Sequence, residues 1–474
     1  MDVAVCWFRR NLRLDDNLPL HAAVTGHDAV VPVFVLDDHY LREDYSPPRL
    51  RFLAESLAEL SRALEAKGSR LLVRKGPPGP ALSALAQETG ARTVLAHADH
   101  EPHGRELYAG AGEALRREGV ALRLLEDVLL LPPGSVLTGA GKPFTVFTPF
   151  SRRWLEADKP APVPPPVRVP TPPSVLDPRF PSIPLERPRA FRVSGAPENP
   201  PGGEARGRSL WREFRGNALE TYASRRDRPD LPGTSRLSPH LRFGTVGIRR
   251  VLQEARETWR EAGAEGRRSV ETFVRELAWR EFYAGVLAAF PHVLTGSFRP
   301  EYDAFPWLRG QEADEAFAAF REGRTGYPIV DAGVRQLLRE GWMHNRVRMI
   351  AASFLTKDLL VDWRRGEAFF RERLADGDPA SNNGGWQWAA GSGTDAAPFF
   401  RIFNPVRQGL TFDPDGAYVR RHVEELARWK APPALLHAPW TAEAPPRDYP
   451  PPVVDHARSR ARALAAFARL RARG

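Results

Sequence analysis

The sequence predicts an N-terminal α/β domain, built as a doubly wound parallel sheet, followed by a larger all-α domain. Three observations predict it. Short apolar runs rich in β-branched residues alternate with helical patterns up to Asp127. A stretch crowded with Pro runs from Lys159 to Gly203. After Gly207 the periodicity is helical to the end. A chain of 474 residues is also too long for one ordinary core. The expected division is residues 1–130 as the α/β domain, 131–206 as a Pro-rich connection and 207–474 as the helical domain.

In order, Val3–Phe8 (VAVCWF) and Ala29–Asp37 (AVVPVFVLD) read as buried strands. Leu50, Leu53, Leu57, Leu60 and Leu64 stand at helical spacing, and Gly68 is a stop signal. Leu71–Gly76, Thr93–Asp99 and Val120–Asp127 supply three more strands between helices, which implies parallel pairing. No G-x-G-x-x-G opens the first helix, so a dinucleotide held on this sheet in the usual mode is not supported. The Pro-rich stretch excludes helices and central strands. Its interspersed Val, Leu and Phe favour docking on the surface over disorder. The helices expected beyond it are Arg208–Ser224, Val246–Ala262, Ser269–Phe290, Ile329–Glu340, Arg346–Leu360 and Glu367–Leu374. The basic stretch His456–Gly474 reads as a final helix with a solvated face.

Composition excludes several classes. The single Cys6 forbids an intramolecular disulfide and thiolate metal clusters, and fits a reducing compartment. No His or Cys pair has zinc spacing, so no metal is expected. There is no G-x-S-x-G and no phosphate-binding G-x-x-x-x-G-K-[ST]. No apolar run spans a bilayer and the N-terminus lacks a signal-peptide layout, so a soluble, cytoplasmic protein is expected. The net charge of +10 suits a polyanion such as DNA.

The most unusual stretch is Asp376–Arg401. Gly and Asn weaken helix interiors, so it reads as a Gly-rich loop rather than a helix. Trp386, Trp388, Phe399, Phe400 and Phe403 distinguish it from a linker. Small residues allow close approach, indoles offer flat apolar area, and Asn382 and Asn383 both donate and accept. That set suits a planar, polar ring system. Gly233–Pro239 (GTSRLSP) is a hydroxyl-bearing turn before a helix, and its free N–H groups suit a phosphate. Arg275–Tyr283 places Glu276, Trp279, Arg280 and Tyr283 on one helix face. Trp342–Met349 adds an amide and two arginines. Core packing explains each alone; together they describe one polar, aromatic pocket.

These motifs resemble the cryptochrome/DNA photolyase family, and within it the class I cyclobutane pyrimidine dimer photolyases. WFRRNLRLDDN (Trp7–Asn17), TSRLSP, WREFY, TGYPIVDAG, NRVRMIAASFLTKDLLVDWR and NNGGWQWAAGSGTDAAPFFRIFNP carry the likeness over essentially the whole chain. Val334 stands where the family usually has Met, a packing change. The resemblance implies a carbon–carbon lyase of DNA repair. In it, photoexcited reduced FAD gives an electron to a flipped dimer, and the electron returns after ring splitting. Base flipping is the general property of photolyases.

The resemblance also implies residue roles. FAD would be bound by Tyr222, Thr234, Ser235, Arg236, Leu237, Ser238, Phe273, Arg280, Asn345, Asp376, Asp378 and Asn382, with Asn382 facing the flavin N5. Glu276, Trp279, Asn345, Arg346, Met349 and Trp388 would contact the lesion. Arg226, Arg401 and Arg407 would face phosphates. Trp386, Trp363 and Trp307, the last in an exposed loop, would carry electrons between flavin and surface. UV-damaged DNA is the expected partner of a monomer with no obligate protein partner and no membrane. A (6-4) photolyase would carry His where this chain has Asn345. A cryptochrome-type photoreceptor usually departs at the lesion pocket or the N5 position, and often adds a long C-terminal extension; here Glu276, Trp388 and Asn382 are present and the tail is short. For a second, antenna chromophore, Glu43, His103 and Gly104 depart from the folate-binding pattern. Arg49, Asp99 and Arg242 favour a deazaflavin or FMN antenna over folate.

Overall fold

The computed structural model describes residues 1–41, 46–185, 201–395 and 401–472. Glu43, Phe399 and Phe400 lie outside them, as do residues 186–200 of the Pro-rich stretch. The N-terminal part is a five-stranded sheet: β1 (Val3–Phe8), β2 (Ala29–Leu36), β3 (Leu72–Lys75), β4 (Thr93–His97) and β5 (Ala121–Leu125). The order is β3-β2-β1-β4-β5 and all pairs are parallel. Central β1 and β2 are buried along their whole length, as continuous Val-rich runs require. Helices α1 (Leu18–Gly26), α2 (Pro47–Glu65), α3 (Pro78–Thr89) and α4 (Pro102–Arg117) cover the two faces. The expected leucine stripe is the buried side of α2, and Gly68 follows it at a φ of 77°.

The chain then crosses through α5 (Phe147–Glu156) and the Pro-rich segment. Val169 and Val175 are buried in that segment, and the Ile183 N–H donates to the Val73 carbonyl at the sheet edge. The described part is therefore docked. The main helices beyond it are α6 (Glu204–Asn217), α7 (Ser238–Phe243), α8 (Ile248–Glu261) and α9 (Ala264–Ala289). They continue with α10 (Pro328–Glu340), α11 (Asn345–Ser353), α12 (Trp363–Arg373), α13 (Pro379–Ala390), α14 (Pro405–Phe412) and α15 (His456–Arg471). Two expected helices end early. Arg208–Ser224 breaks after Asn217, and Arg346–Leu360 passes into one π-turn at Phe354–Asp358.

The expected Gly-rich loop is the largest correction. Residues 379–390 form α13. Asp378 caps it by accepting from the Ser381 N–H at 2.9 Å, and Pro379 sits at its first position. Tertiary contact overrides propensity: a Cβ on Gly384 would lie 2.2 Å from the Tyr283 ring, and one on Gly366 would lie 2.2 Å from Trp386. The glycines let three helices touch.

The two halves meet through buried charge. Arg249 Nε bonds Asp16 Oδ1 at 2.7 Å and Arg249 Nη2 bonds Asp127 Oδ1 at 2.6 Å; all three side chains are 0% exposed. Arg13 bonds Asp127 at 2.7 Å and the Gly244 carbonyl at 2.9 Å. Burial alone would raise the Asp127 pKa, but Arg13 and Arg249 outweigh it and hold it below the ordinary carboxylate value. Arg249→Met leaves two buried carboxylates short of a partner and is expected to cost roughly 3–5 kcal/mol, read as an earlier urea transition. Because Asp127 is depressed in the fold, that stabilisation is present above the unfolded carboxylate pKa and lost as pH falls through the folded one. The gap between parent and variant is therefore expected to narrow in acid.

Candidate functional site

The site lies among α7, α9, α11 and α13. Glu276, Trp279, Arg280 and Tyr283 share one face of α9, partly exposed although the helix is deep in the fold. Phe147 of α5 stacks on Trp279 with centroids 3.6 Å apart and planes at 8°, so one indole face is backed. Glu276 accepts from Arg226 at 2.6 Å, and that guanidinium lies over the Tyr222 ring at 5.4 Å. Burial raises the Glu276 pKa and Arg226 only partly offsets it.

The hydroxyl-bearing turn has the expected form. Arg236 takes a left-handed φ of 52°, unusual outside Gly. The backbone N–H groups of Thr234, Ser235 and Arg236 and the hydroxyls of Thr234 and Ser238 donate to no group among the described residues. Free donors of this kind suit an anion. The Arg236 side chain turns away, over Trp342 at 4.4 Å and toward Glu340 at 3.6 Å, so only its backbone faces the turn. Phe273 departs from expectation: it is 4% exposed and enclosed by Trp211, Phe214 and Tyr222, a core residue beneath the site.

Opposite the turn, Asp376 pairs with Arg348 at 2.8 Å. Asn382 on α13 donates its Nδ2 to the Glu367 side chain at 2.8 Å and to its carbonyl at 3.0 Å. Its Oδ1 thus remains a free acceptor among the described residues. Glu367 has no signal in the sequence, because it reaches Asn382 only when α12 packs on α13. Asp227 and Phe412 were missed for the same reason. They grip Arg346, by an ion pair at 2.8 Å and a cation–π contact at 4.4 Å. Asn345 is exposed beside half-buried Met349. Trp388 is half-buried nearby, and Arg401 and Arg407 are exposed.

Of the three residues expected at an antenna, Arg242 and Arg49 join the halves of the protein, and Asp99 pairs within the sheet half. Asp99 pairs with Arg9 and Arg10 at 3.3 Å. Arg242 pairs with Glu101 and, at 3.2 Å, with Asp378. Arg49 donates to the Arg371 carbonyl at 2.9 Å. Burial opposes ionisation of Asp378, but Arg242, Arg10 and Arg280 together hold it down at about 2. Asp378 is therefore a helix cap and ion-pair centre. Arg280 bonds the carbonyls of Val128 and Leu241.

The three tryptophans belong to one apolar cluster, with Trp363 and Trp386 buried in it and Trp307 packed against it. Trp386 is buried against Phe370 and Gly366. Trp363, 1% exposed, lies three residues before Gly366 on α12, hence on the same face. The Leu308 N–H donates to the Leu360 carbonyl at 2.8 Å, which holds the Trp307 loop beside the start of α12. Trp307 itself is half-buried rather than exposed, because Phe305 packs on it at 4.4 Å and Phe467 of α15 packs on Phe305 at 4.7 Å. Among the described residues no group of side chains could hold a metal.

Two family models match the chain: "DNA photolyase" over residues 4–169 and "FAD binding domain of DNA photolyase" over residues 273–469. The deoxyribodipyrimidine photo-lyase of Halobacterium salinarum is 42% identical over 486 aligned residues, covering 98% of each chain. Among solved structures, the class III photolyase of Agrobacterium tumefaciens superposes with a TM-score of 0.91 at 38% identity, over 99% of this chain and 98% of its own. The archaeal photolyase of Sulfolobus tokodaii, solved with two FAD molecules, superposes with a TM-score of 0.84 at 32% identity, over 98% of this chain and 100% of its own.

Gly384→Ala is expected to push α13 away from Tyr283 and to cost about 1–3 kcal/mol, the usual range for overpacking. A thermal melt checks this, and an unchanged midpoint would show that the contact relaxes freely.

Proposed function

The chain belongs to the DNA photolyase family, and from that premise we propose that it repairs cyclobutane pyrimidine dimers in UV-damaged DNA with light. FAD is its cofactor. The observation that supports the site assignment is the set of free donors at Thr234–Ser238, together with the free Asn382 Oδ1 acceptor. Those donors suit a diphosphate, and Asn382 Oδ1 suits a ring N–H, so the residues present fit FAD. When bound and reduced, FAD supplies the photoexcited electron that opens the dimer.

The chain's own residues do the rest. Thr234, Ser235 and Ser238 hold phosphate oxygens, with the backbone of Arg236. Glu367 fixes which end of the Asn382 amide points inward. Trp279, backed by Phe147, offers one rigid face on which a flipped base stacks, a contact worth roughly 1–3 kcal/mol. Glu276, held by Arg226, accepts from pyrimidine N–H groups. Asp227 and Phe412 hold Arg346 at the rim. Trp386, Trp363 and Trp307 pass electrons between the flavin and the surface. The division near residues 130 and 206 belongs to the same proposal; β5 ends at Leu125 and α6 begins at Glu204. So do action as a monomer and a cytoplasmic location, which the single, buried Cys6 and the net charge of +10 support.

Arg407 is exposed, and Arg407→Ala is expected to weaken damaged and undamaged DNA alike and to lower the salt slope by about one. Arg226→Ala also leaves Glu276 unpaired, so it should lower discrimination as well as affinity. Binding titrations at several salt concentrations separate the two. Equal loss of discrimination in both variants would overturn these roles.

Trp307→Phe keeps most of the apolar contact, so folding and FAD content should survive. Light-driven reduction of oxidised FAD should slow at least about tenfold, roughly 1.4 kcal/mol. The same variant, chemically reduced beforehand, should repair dimers near the parent rate, because that step needs no path to the surface. Both rates are measured on one preparation. Loss of both would make Trp307 a structural residue.

A further inference from the structure

The π-turn Phe354–Asp358, which follows α11, holds a buried lysine. Turns of this kind are rare and recur at functional sites. Lys357 is 1% exposed, and burial lowers its pKa to about 8, with Asp358 opposing the shift and Arg401 adding to it. Its Nζ donates to the Arg401 carbonyl at 2.9 Å, its one acceptor among the described residues. An ammonium buried on a single carbonyl is costly. An apolar side chain of similar length would fill the same space more cheaply, so stability does not account for the lysine.

The segment that Lys357 holds has a fixed task at each step. Ile402 packs on the cluster of Phe305, Leu360 and Phe467. Phe403 is buried in the main helical core, and its N–H reaches Ser353 Oγ at 3.5 Å. Asn404 caps α14 by accepting from the Arg407 N–H at 3.0 Å. Of residues 401–407 only Arg401 and Arg407 are exposed. The Arg401 guanidinium lies 5.8 Å from the Phe403 ring, and neither arginine has an ion-pair partner among the described residues.

The turn is itself anchored from a third side. Asp358 bonds His456 Nδ1 at 2.5 Å, and Arg462 of α15 donates to the Asp358 carbonyl at 3.1 Å. Neighbouring residues of one turn thus tie down two segments that are distant in sequence.

We propose that Lys357 is a positioning residue for DNA. It is too buried to touch a phosphate. It fixes the backbone at Arg401, so that the Arg401 and Arg407 guanidinia meet the phosphates from set points. The proposal rests on the reading of those two arginines as phosphate contacts and deepens it.

The test titrates the full-length, FAD-loaded protein with a dimer-containing duplex and its undamaged counterpart. Lys357→Met should weaken both about fivefold and lower the salt slope by about one, as loss of one phosphate contact would. Prereduced, it should repair with KM raised about fivefold and kcat within about twofold of the parent. Arg401→Ala should show the same loss of affinity. Lys357→Met added to Arg401→Ala should cost less than about twofold more, because the two residues act as one. Met and Leu both remove the donor and keep apolar bulk, so Lys357→Leu is the second variant, and FAD absorbance reports folding. A parent that binds undamaged DNA but repairs no dimers would count against the repair reading and leave this test intact. The proposal is overturned if Lys357→Met binds DNA as the parent does, or if its effect is undiminished beside Arg401→Ala, which would make it a matter of charge alone. It is also overturned if kcat falls while KM holds, or if both Lys357 variants lose FAD, which would make Lys357 a residue of the fold.

Discussion

Everything in this protein hangs on the buried contact of Arg13 and Arg249 with Asp16 and Asp127. It joins the loop after β1, the end of β5 and the start of α8. Desolvating four charges is expensive, so such a cluster adds little net stability over an apolar substitute. What it supplies is geometry. Each guanidinium fork has fixed directions, and each carboxylate oxygen has a specified donor. A slip of the helical half against the sheet would leave a charge unpaired. Gly244 shows how close the approach is: a Cβ there would lie 1.9 Å from the Arg10 carbonyl oxygen.

The same seam reaches the helix that carries the candidate site residues. Arg10 stands next to the loop that carries Arg13, and it lies 3.7 Å from Asp378. Asp378 caps α13, and α13 presents Asn382, Trp386 and Trp388. The position of the amide and of the first tryptophan is thereby tied to a residue of the sheet half. Its orientation is set from the other side by Glu367. Glu367 is a buried carboxylate whose pKa is raised by burial, with Arg371 and the Asn382 amide offsetting part of the cost. α13 is held at its start by ion pairs at Asp378 and along its length by glycine-enabled contacts at Gly384 and Gly366.

The helix α9 serves two faces. One carries the groups expected to meet flavin and lesion. The other carries Glu281, whose pKa is pushed up by burial to about 7 despite the donors around it.

Local pattern by itself determined the sheet, its parallel pairing and most helices. Val-rich runs and leucine spacing are properties of neighbouring residues and survive without tertiary context. The motifs also pointed to a candidate site, since a hydroxyl turn, an aromatic helix face and paired amides are chemically specific as a set. Tertiary structure decided the rest. It made a helix of Pro379–Ala390, because inter-helix contact at Gly384 and Gly366 outweighs a propensity cost of about 1 kcal/mol per Gly. It placed Phe273 in the core, drew Asp99 and Arg242 into ion pairs, and half-buried Trp307 beneath α15. It brought Glu367, Asp227 and Phe147 to the site from distant parts of the chain. None of these follows from spacing, because each depends on a partner far away in sequence, and long-range packing chooses that partner.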